Sequence, residues 1–218
     1  MNIQATKTIL CFGDSNTWGQ RSDGVRGRYP SSIRWTDQLQ RQLGDDYDII
    51  AEGLPSRTTN LEYDAKPGRN GQPYLVSCLS SHSPLDLVVL MLGTNDLKTE
   101  FHRSAADIAE ALRQLVADCR TYGFTADNTA PKILLLSPIH VNASAKLFSE
   151  KYSHNYDRTS EEKSKQLASV IQTVATEEDC SFFDASTVAE PGEDGIHFSE
   201  ASHMQLAEAL ALVVHKIV

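Results

Sequence analysis

Short continuous apolar segments alternate along the chain with longer stretches whose apolar residues recur every three or four positions. Five of the short segments, 8–12, 48–51, 85–92, 132–136 and 181–183, read as strands. Their apolar character is unbroken rather than alternating, as expected of a parallel sheet covered on both faces. Over 105–122, Ile108, Leu112, Leu115, Cys119 and Tyr122 keep helical spacing, and Ser104 with Asp107 forms a capping-box start. Leu167, Val170, Ile171 and Val174 predict a helix over 160–178, with Thr159 and Glu162 in the same role. Leu206, Leu210, Val213 and Ile217 form one stripe over 200–218, and an earlier helix over 33–43 stops at Gly44.

Strand and helix therefore alternate, which implies a doubly wound α/β sheet with its reactive centre beyond the carboxyl ends of the strands. At 218 residues, without repeats or a Pro/Gly-rich linker, the chain reads as one domain over 1–218. Two stretches without clear periodicity, 54–84 and 138–158, exceed ordinary connections and are expected to form functional rims or subunit contacts.

Charge narrows the partners. Lys and Arg number 20 against 29 Asp and Glu, a net charge of −9. Such a surface repels nucleic-acid backbones and anionic lipid headgroups, so neither is an expected partner. The longest apolar run, 87–92, falls far short of the ~20 residues that span a bilayer. The opening MNIQATKTIL lacks the pattern of a secretory leader, which makes the cytoplasm the expected location. Cys11, Cys78, Cys119 and Cys180 form no CxxC pair and are expected to be reduced core thiols.

Four segments carry candidate chemistry. Gly13-Asp14-Ser15-Asn16 follows the first strand and would hold a serine hydroxyl at the sheet's carboxyl edge. The same tetrapeptide also suits a helix N-cap. Asp194-Gly195-Ile196-His197 precedes the last helix. A serine needs a neutral imidazole to take its proton and a carboxylate to fix the imidazole's tautomer, and this spacing lets Asp194 serve His197; a lone DxxH is otherwise an ordinary surface turn. Gly93-Thr94-Asn95-Asp96 ends the strongest strand, and Gly53 follows the second. Acyl transfer builds charge on the former carbonyl oxygen, for which the Asn95 amide and the N–H groups of Gly53 and Ser15 are candidate donors. Both glycines equally suit turns.

Taken in order, GDSN, the Gly53 block, GTND and DGIH resemble the four blocks of the SGNH, or GDSL, hydrolase superfamily. The strings ILCFGDSNTWG, EGLPSRTTN, LDLVVLMLGTND and FFDASTVAEPGEDGIHFSE are most similar to its bacterial arylesterase and acyltransferase branch. The resemblance covers nearly the whole chain and is weakest over 138–158. It implies a flavodoxin-like three-layer α/β/α fold around a five-stranded parallel sheet, a Ser15/His197/Asp194 triad, an oxyanion hole from Ser15, Gly53 and Asn95, and no cofactor. It further implies a homo-oligomer, octamers included, acting on small-molecule short-chain acyl and aryl esters, with acyl transfer to alcohols or peroxide as a side activity. Deacetylation of carbohydrates is the alternative within the same machinery. Many relatives have leucine where this chain has Asn16.

Competing chemistries find less support. No G-x-S-x-G elbow surrounds any serine. A two-metal phosphoesterase could draw ligands from Asp14, Asn95, Asp96, Asp194 and His197, but GTND lacks the histidine of a metal-binding GNHD, so no metal is expected. Trp18 is a candidate wall of the acyl pocket, with packing under the first loop as the plainer role. Arg57, Arg69 and Asn70 are candidates to meet the alcohol portion of a substrate. Asp14 and Asp96 are expected to hold loops together.

Overall fold

The computed structural model describes residues 6–218; residues 1–5, part of the segment on which the absence of a leader was read, lie outside them. Five strands form one parallel sheet: β1 (Lys7–Gly13), β2 (Tyr47–Gly53), β3 (Leu87–Met91), β4 (Lys132–Ser137) and β5 (Ser181–Asp184), in the order β2-β1-β3-β4-β5. Seven helices accompany them: α1 (Ser15–Trp18), α2 (Trp35–Leu43), α3 (Gly71–His82), α4 (Ala105–Tyr122), α5 (Phe148–Lys151), α6 (Arg158–Glu177) and α7 (Glu200–Ile217).

The pleat divides the apolar strand residues between two layers. Leu10, Phe12, Val88, Leu90, Ile133 and Leu135 face a core closed by α3, α4 and α6, which contribute Leu75, Leu115 and Ile171. Ile9, Cys11, Val89, Met91, Leu134 and Leu136 face the opposite core, closed by α2 and α7 through Trp35, Leu39, Leu206 and Leu210. Helices cover both faces, and this accounts for the unbroken apolar runs. The arrangement is the expected three-layer α/β/α sandwich.

The strand order reverses between β1 and β3, β2 being added on one side of β1 and β3 to β5 on the other, and at such a point loops diverge to leave a crevice beyond the strand ends. The GDSN and GTND segments leave the sheet at these two neighbouring strands.

Two local expectations need correction. The stretch 54–84 contains the 12-residue α3, capped by Asn70, whose Oδ1 accepts the Gln72 N–H at 3.1 Å. Its inward stripe is only Leu75, Cys78 and Leu79, and Pro73 is tolerated because the first turn has no intrahelical use for its missing N–H. The helix expected over 160–178 starts at Arg158, because Asp157 and Ser160, rather than Thr159 and Glu162, form the reciprocal cap. The box at Ser104 and Asp107 forms as expected. No helix among the described residues is long and apolar enough to cross a membrane, and the four cysteines are free, three of them buried.

Candidate active site

Beyond the carboxyl end of β1 the chain turns at once into α1, with Asp14 as N-cap; its Oδ1 accepts the Asn16 N–H at 2.9 Å. Ser15 is the first helical residue, so its N–H has no intrahelical acceptor. The turn works only with glycine at 13: a Cβ there would lie 2.1 Å from Thr17 Oγ1 and 2.9 Å from the Met91 carbonyl. Asp14 thus takes the capping role in this segment and leaves the Ser15 side chain free of it.

Ser15 Oγ lies 2.9 Å from His197 Nε2, and His197 Nδ1 lies 2.6 Å from Asp194 Oδ2. Asp194 Oδ1 accepts the backbone N–H groups of Ile196 and His197, both at 2.9 Å. With its carboxylate accepting from Nδ1, the imidazole keeps its proton there and presents the Nε2 lone pair to the Ser15 hydroxyl. All three residues are buried. A hydroxyl, an imidazole and a carboxylate thus form one relay across 182 positions of sequence.

The profile of the GDSL-like lipase/acylhydrolase family matches residues 11–204. The chain belongs to that family. Among solved structures, the inhibitor-bound aryl esterase of M. smegmatis is 41% identical over 98% of this chain and 100% of that one, with a TM-score of 0.90. Est24, a carbohydrate acetylesterase of Sinorhizobium meliloti, is 37% identical over 98% and 100%, with a TM-score of 0.87. An acetylxylan esterase of Xylanibacter ruminicola is 27% identical over 94% of this chain, which spans 42% of that protein.

In this GDSL-family chain a small cavity of about 110 Å³ adjoins the relay, walled by Ser15, Asn95 and His197 together with Pro55, Ser56, Tyr152, Tyr156 and Lys98. Asn95 is oriented from both ends: its Nδ2 donates to Asp14 Oδ2 at 3.3 Å, and its Oδ1 accepts the Tyr156 hydroxyl at 3.4 Å. One Nδ2 hydrogen remains for another acceptor. Burial lifts the Asp14 carboxyl to about 6, against the Asn16 N–H that pulls it down. Asp96 is fully buried and holds the loop after β3 to Thr59, whose N–H it accepts at 3.0 Å, and to Arg103 at 2.8 Å. Asp14, Asp96 and Asp194 all spend oxygens on N–H or O–H donors within the fold.

Five expected site residues sit elsewhere. Gly53 lies opposite Gly13 in the ladder, and the Gly13 carbonyl accepts the Leu54 N–H, so the Gly53 N–H points to the other side of β2, away from Ser15. Its missing side chain instead lets α1 pack, because a Cβ would lie 2.1 Å from Trp18 N. Ser56, three residues on, reaches the cavity in a left-handed conformation (φ 68°), and its N–H has no backbone partner among the described residues. Arg57 is buried as a strut beneath the site; its guanidinium donates to the Gly13 carbonyl at 2.8 Å and to the Glu52 carbonyl, over the Phe12 ring. Trp18 faces an adjoining groove of about 520 Å³ rather than the small cavity. Gln20, Pro55, Lys66 and Tyr152 border both spaces. Arg69 holds the Pro55 carbonyl and Asn70 caps α3, so neither meets the cavity.

Both irregular stretches supply walls: Pro55, Ser56 and Lys66 come from 54–84, and Tyr152, Asn155 and Tyr156 from 138–158. Ser56, Lys66, Lys98 and the two tyrosines are not among the candidates that the sequence motifs point to. A helical spacing of Tyr152 and Tyr156, within a polar stretch, was the one signal that pointed at the latter.

Proposed function

We propose that the chain is a serine esterase of short-chain acyl and aryl esters, working through an acyl-serine intermediate. The observation that carries this reading is the continuous relay from Asp194 through His197 to Ser15, at 2.6 and 2.9 Å, beside a cavity with room for a short acyl group. Ser15 Oγ attacks the ester carbonyl as His197 Nε2 takes its proton, and Asp194 stabilises the imidazolium. The Ser15 N–H, the Ser56 N–H and Asn95 Nδ2 are the donors assigned to the oxyanion. Collapse of the tetrahedral intermediate expels the alcohol with the proton from Nε2, and water then cleaves the acyl-serine by the same steps in reverse. No cofactor is needed for this sequence. Acyl transfer to an alcohol or peroxide follows wherever these replace water at the second step.

Carbohydrate deacetylation is the second reading, favoured by the groove beside Trp18, which has room for a sugar. It also agrees with the names borne by the Sinorhizobium and Xylanibacter relatives. The reading extends to one domain over 1–218 acting in the cytoplasm, where free thiols persist. It also extends to a homo-oligomer that does not engage nucleic acid, the exposed Val25, Tyr74, Phe124 and Leu212 being apolar surface for self-association. Light scattering tests the assembly.

A fluorophosphonate label on Ser15 that disappears in Ser15→Ala, together with rates across p-nitrophenyl esters of increasing chain length, tests the chemistry. Labelling retained in Ser15→Ala places the nucleophile elsewhere.

A further inference from the structure

In a chain of net charge −9, the space around the reacting atoms is cationic. The charged side chains that wall the small cavity, besides His197, are Lys66 and Lys98. In the adjoining groove Arg26 and Lys66 stand beside Arg21 and Lys151, which are spent on Asp23 and Glu150. Asp194 is the one carboxylate bordering either space among the described residues, and its oxygens are held by His197 and the Ile196 N–H.

Arg26, Lys66 and Lys98 make no ion pair among the described residues. Lys98 is 4% exposed, with Nζ 4.1 Å from the centre of the Tyr63 ring and no hydrogen-bond acceptor among the described residues. Its like-charged neighbour Lys66 donates to Ser56 Oγ at 2.9 Å, on the loop next to Ser15. Burial, and then Lys66, bring the Lys98 ammonium down to about 8, against the opposing pull of Glu100, Asp14 and Asp96, so the two lysines disfavour each other when the cavity holds no anion. None of these carboxylates pairs directly with the Lys98 ammonium, and a buried ammonium without a direct partner costs stability.

We propose that the site selects esters whose alcohol portion carries a carboxylate, such as acetylated acidic sugars or acetylated hydroxybenzoates, with Lys66, which borders both spaces, as the group that meets it and Lys98, which borders the small cavity alone, adding to the positive field there. The alcohol side is assigned because the small cavity fits a short acyl group, whereas the groove that shares Lys66 has the volume for the rest. This inference rests on the esterase reading and deepens it.

The test compares kcat/KM for para-acetoxybenzoate with that for its neutral methyl ester, each divided by its rate with hydroxide to remove intrinsic reactivity. The wild type should favour the anion by about tenfold, the effect of roughly 1.4 kcal/mol, and added sodium chloride should erode the preference. Lys66→Glu, at an exposed position that folding tolerates, should invert the ratio, and Lys98→Met, which keeps the packing on Tyr63, should lower it. A wild-type ratio at or below one, or a ratio unmoved in both variants, overturns the inference. A second pair, ethyl hydrogen succinate against ethyl butyrate, moves the charge to the acyl side; a preference found only there overturns the assignment to the alcohol. Turnover of neutral esters without any anion preference sinks this inference alone, whereas absence of turnover on every ester sinks the esterase reading beneath it.

Discussion

Asn16 Oδ1 accepts the Phe198 N–H at 2.9 Å, while its Nδ2 donates to the Ile196 carbonyl at 3.2 Å. One buried side chain thus grips the backbone on either side of His197 and fixes the histidine loop against the turn that carries Ser15. The residue that departs from the GDSL pattern therefore spans the backbone on both sides of the imidazole.

Asn16→Leu removes both bonds and leaves the Phe198 N–H and Ile196 carbonyl buried without partners. A loss of about 2–4 kcal/mol in stability is expected, along with a fall in kcat of about tenfold or more as the Ser15–His197 alignment loosens. Chemical denaturation and steady-state kinetics measure the two effects. Unchanged kcat in a folded variant would mean that the loop holds its register without the amide.

Asn95→Ala deletes a side-chain donor from the space beside Ser15 while keeping the backbone of the loop. With Asn95 Nδ2 as a proposed oxyanion donor, which favours the developing oxyanion over the ground-state ester, kcat should fall by about 10²–10³ with little change in KM. A rise in KM at constant kcat would instead make Asn95 a ground-state binding group.

The elements that could be read from sequence are those whose information is local. Ser15, Asn95 and the Asp194–His197 pair each follow a strand closely or sit in a tight turn, so their motifs and a parallel sheet already imply convergence. Backbone donors leave no such mark. Gly53 looked suitable because it lacks a side chain, yet ladder alternation turns its N–H outward, and the left-handed Ser56 has no residue type that announces it. Tyr156 and Lys98 reach the cavity only through contacts distant in sequence, such as the Thr99 N–H to the Asn155 carbonyl at 2.8 Å and Ser160 Oγ to the Leu97 carbonyl at 2.8 Å. For α3, three inward residues on a half-exposed helix over an edge strand are too few to show a period.

Gly53→Ala separates a packing role from a donor role at this position. The added methyl would meet Trp18 N at 2.1 Å and the Thr17 carbonyl carbon at 2.6 Å, both backbone atoms without freedom to move aside. Overpacking of this kind costs about 1–3 kcal/mol or more, and urea denaturation should show it as a lowered midpoint. A variant of full stability with reduced kcat would return Gly53 to the oxyanion site.

His203 gives the fold a pH dependence that is independent of the chemistry. Its Nδ1 accepts the Trp35 N–H at 3.2 Å, joining α7 to the start of α2, and the ring is fully buried with Nε2 unpartnered. Burial, with smaller repulsion from His197 and Arg34, lowers its pKa to about 4. The unfolded chain takes up this proton near pH ~6.5, while the folded chain resists until about 4. The unfolded state therefore binds more protons between those values, and stability falls as pH drops through the window, by up to about 3 kcal/mol from this group. Above the window the contribution is fully present. His203→Gln keeps an acceptor for the Trp35 N–H but cannot titrate, so its denaturation midpoint should decline less than that of the wild type between about pH 7 and pH 4. Parallel declines in the two proteins would show that the ring does not resist protonation in the folded state.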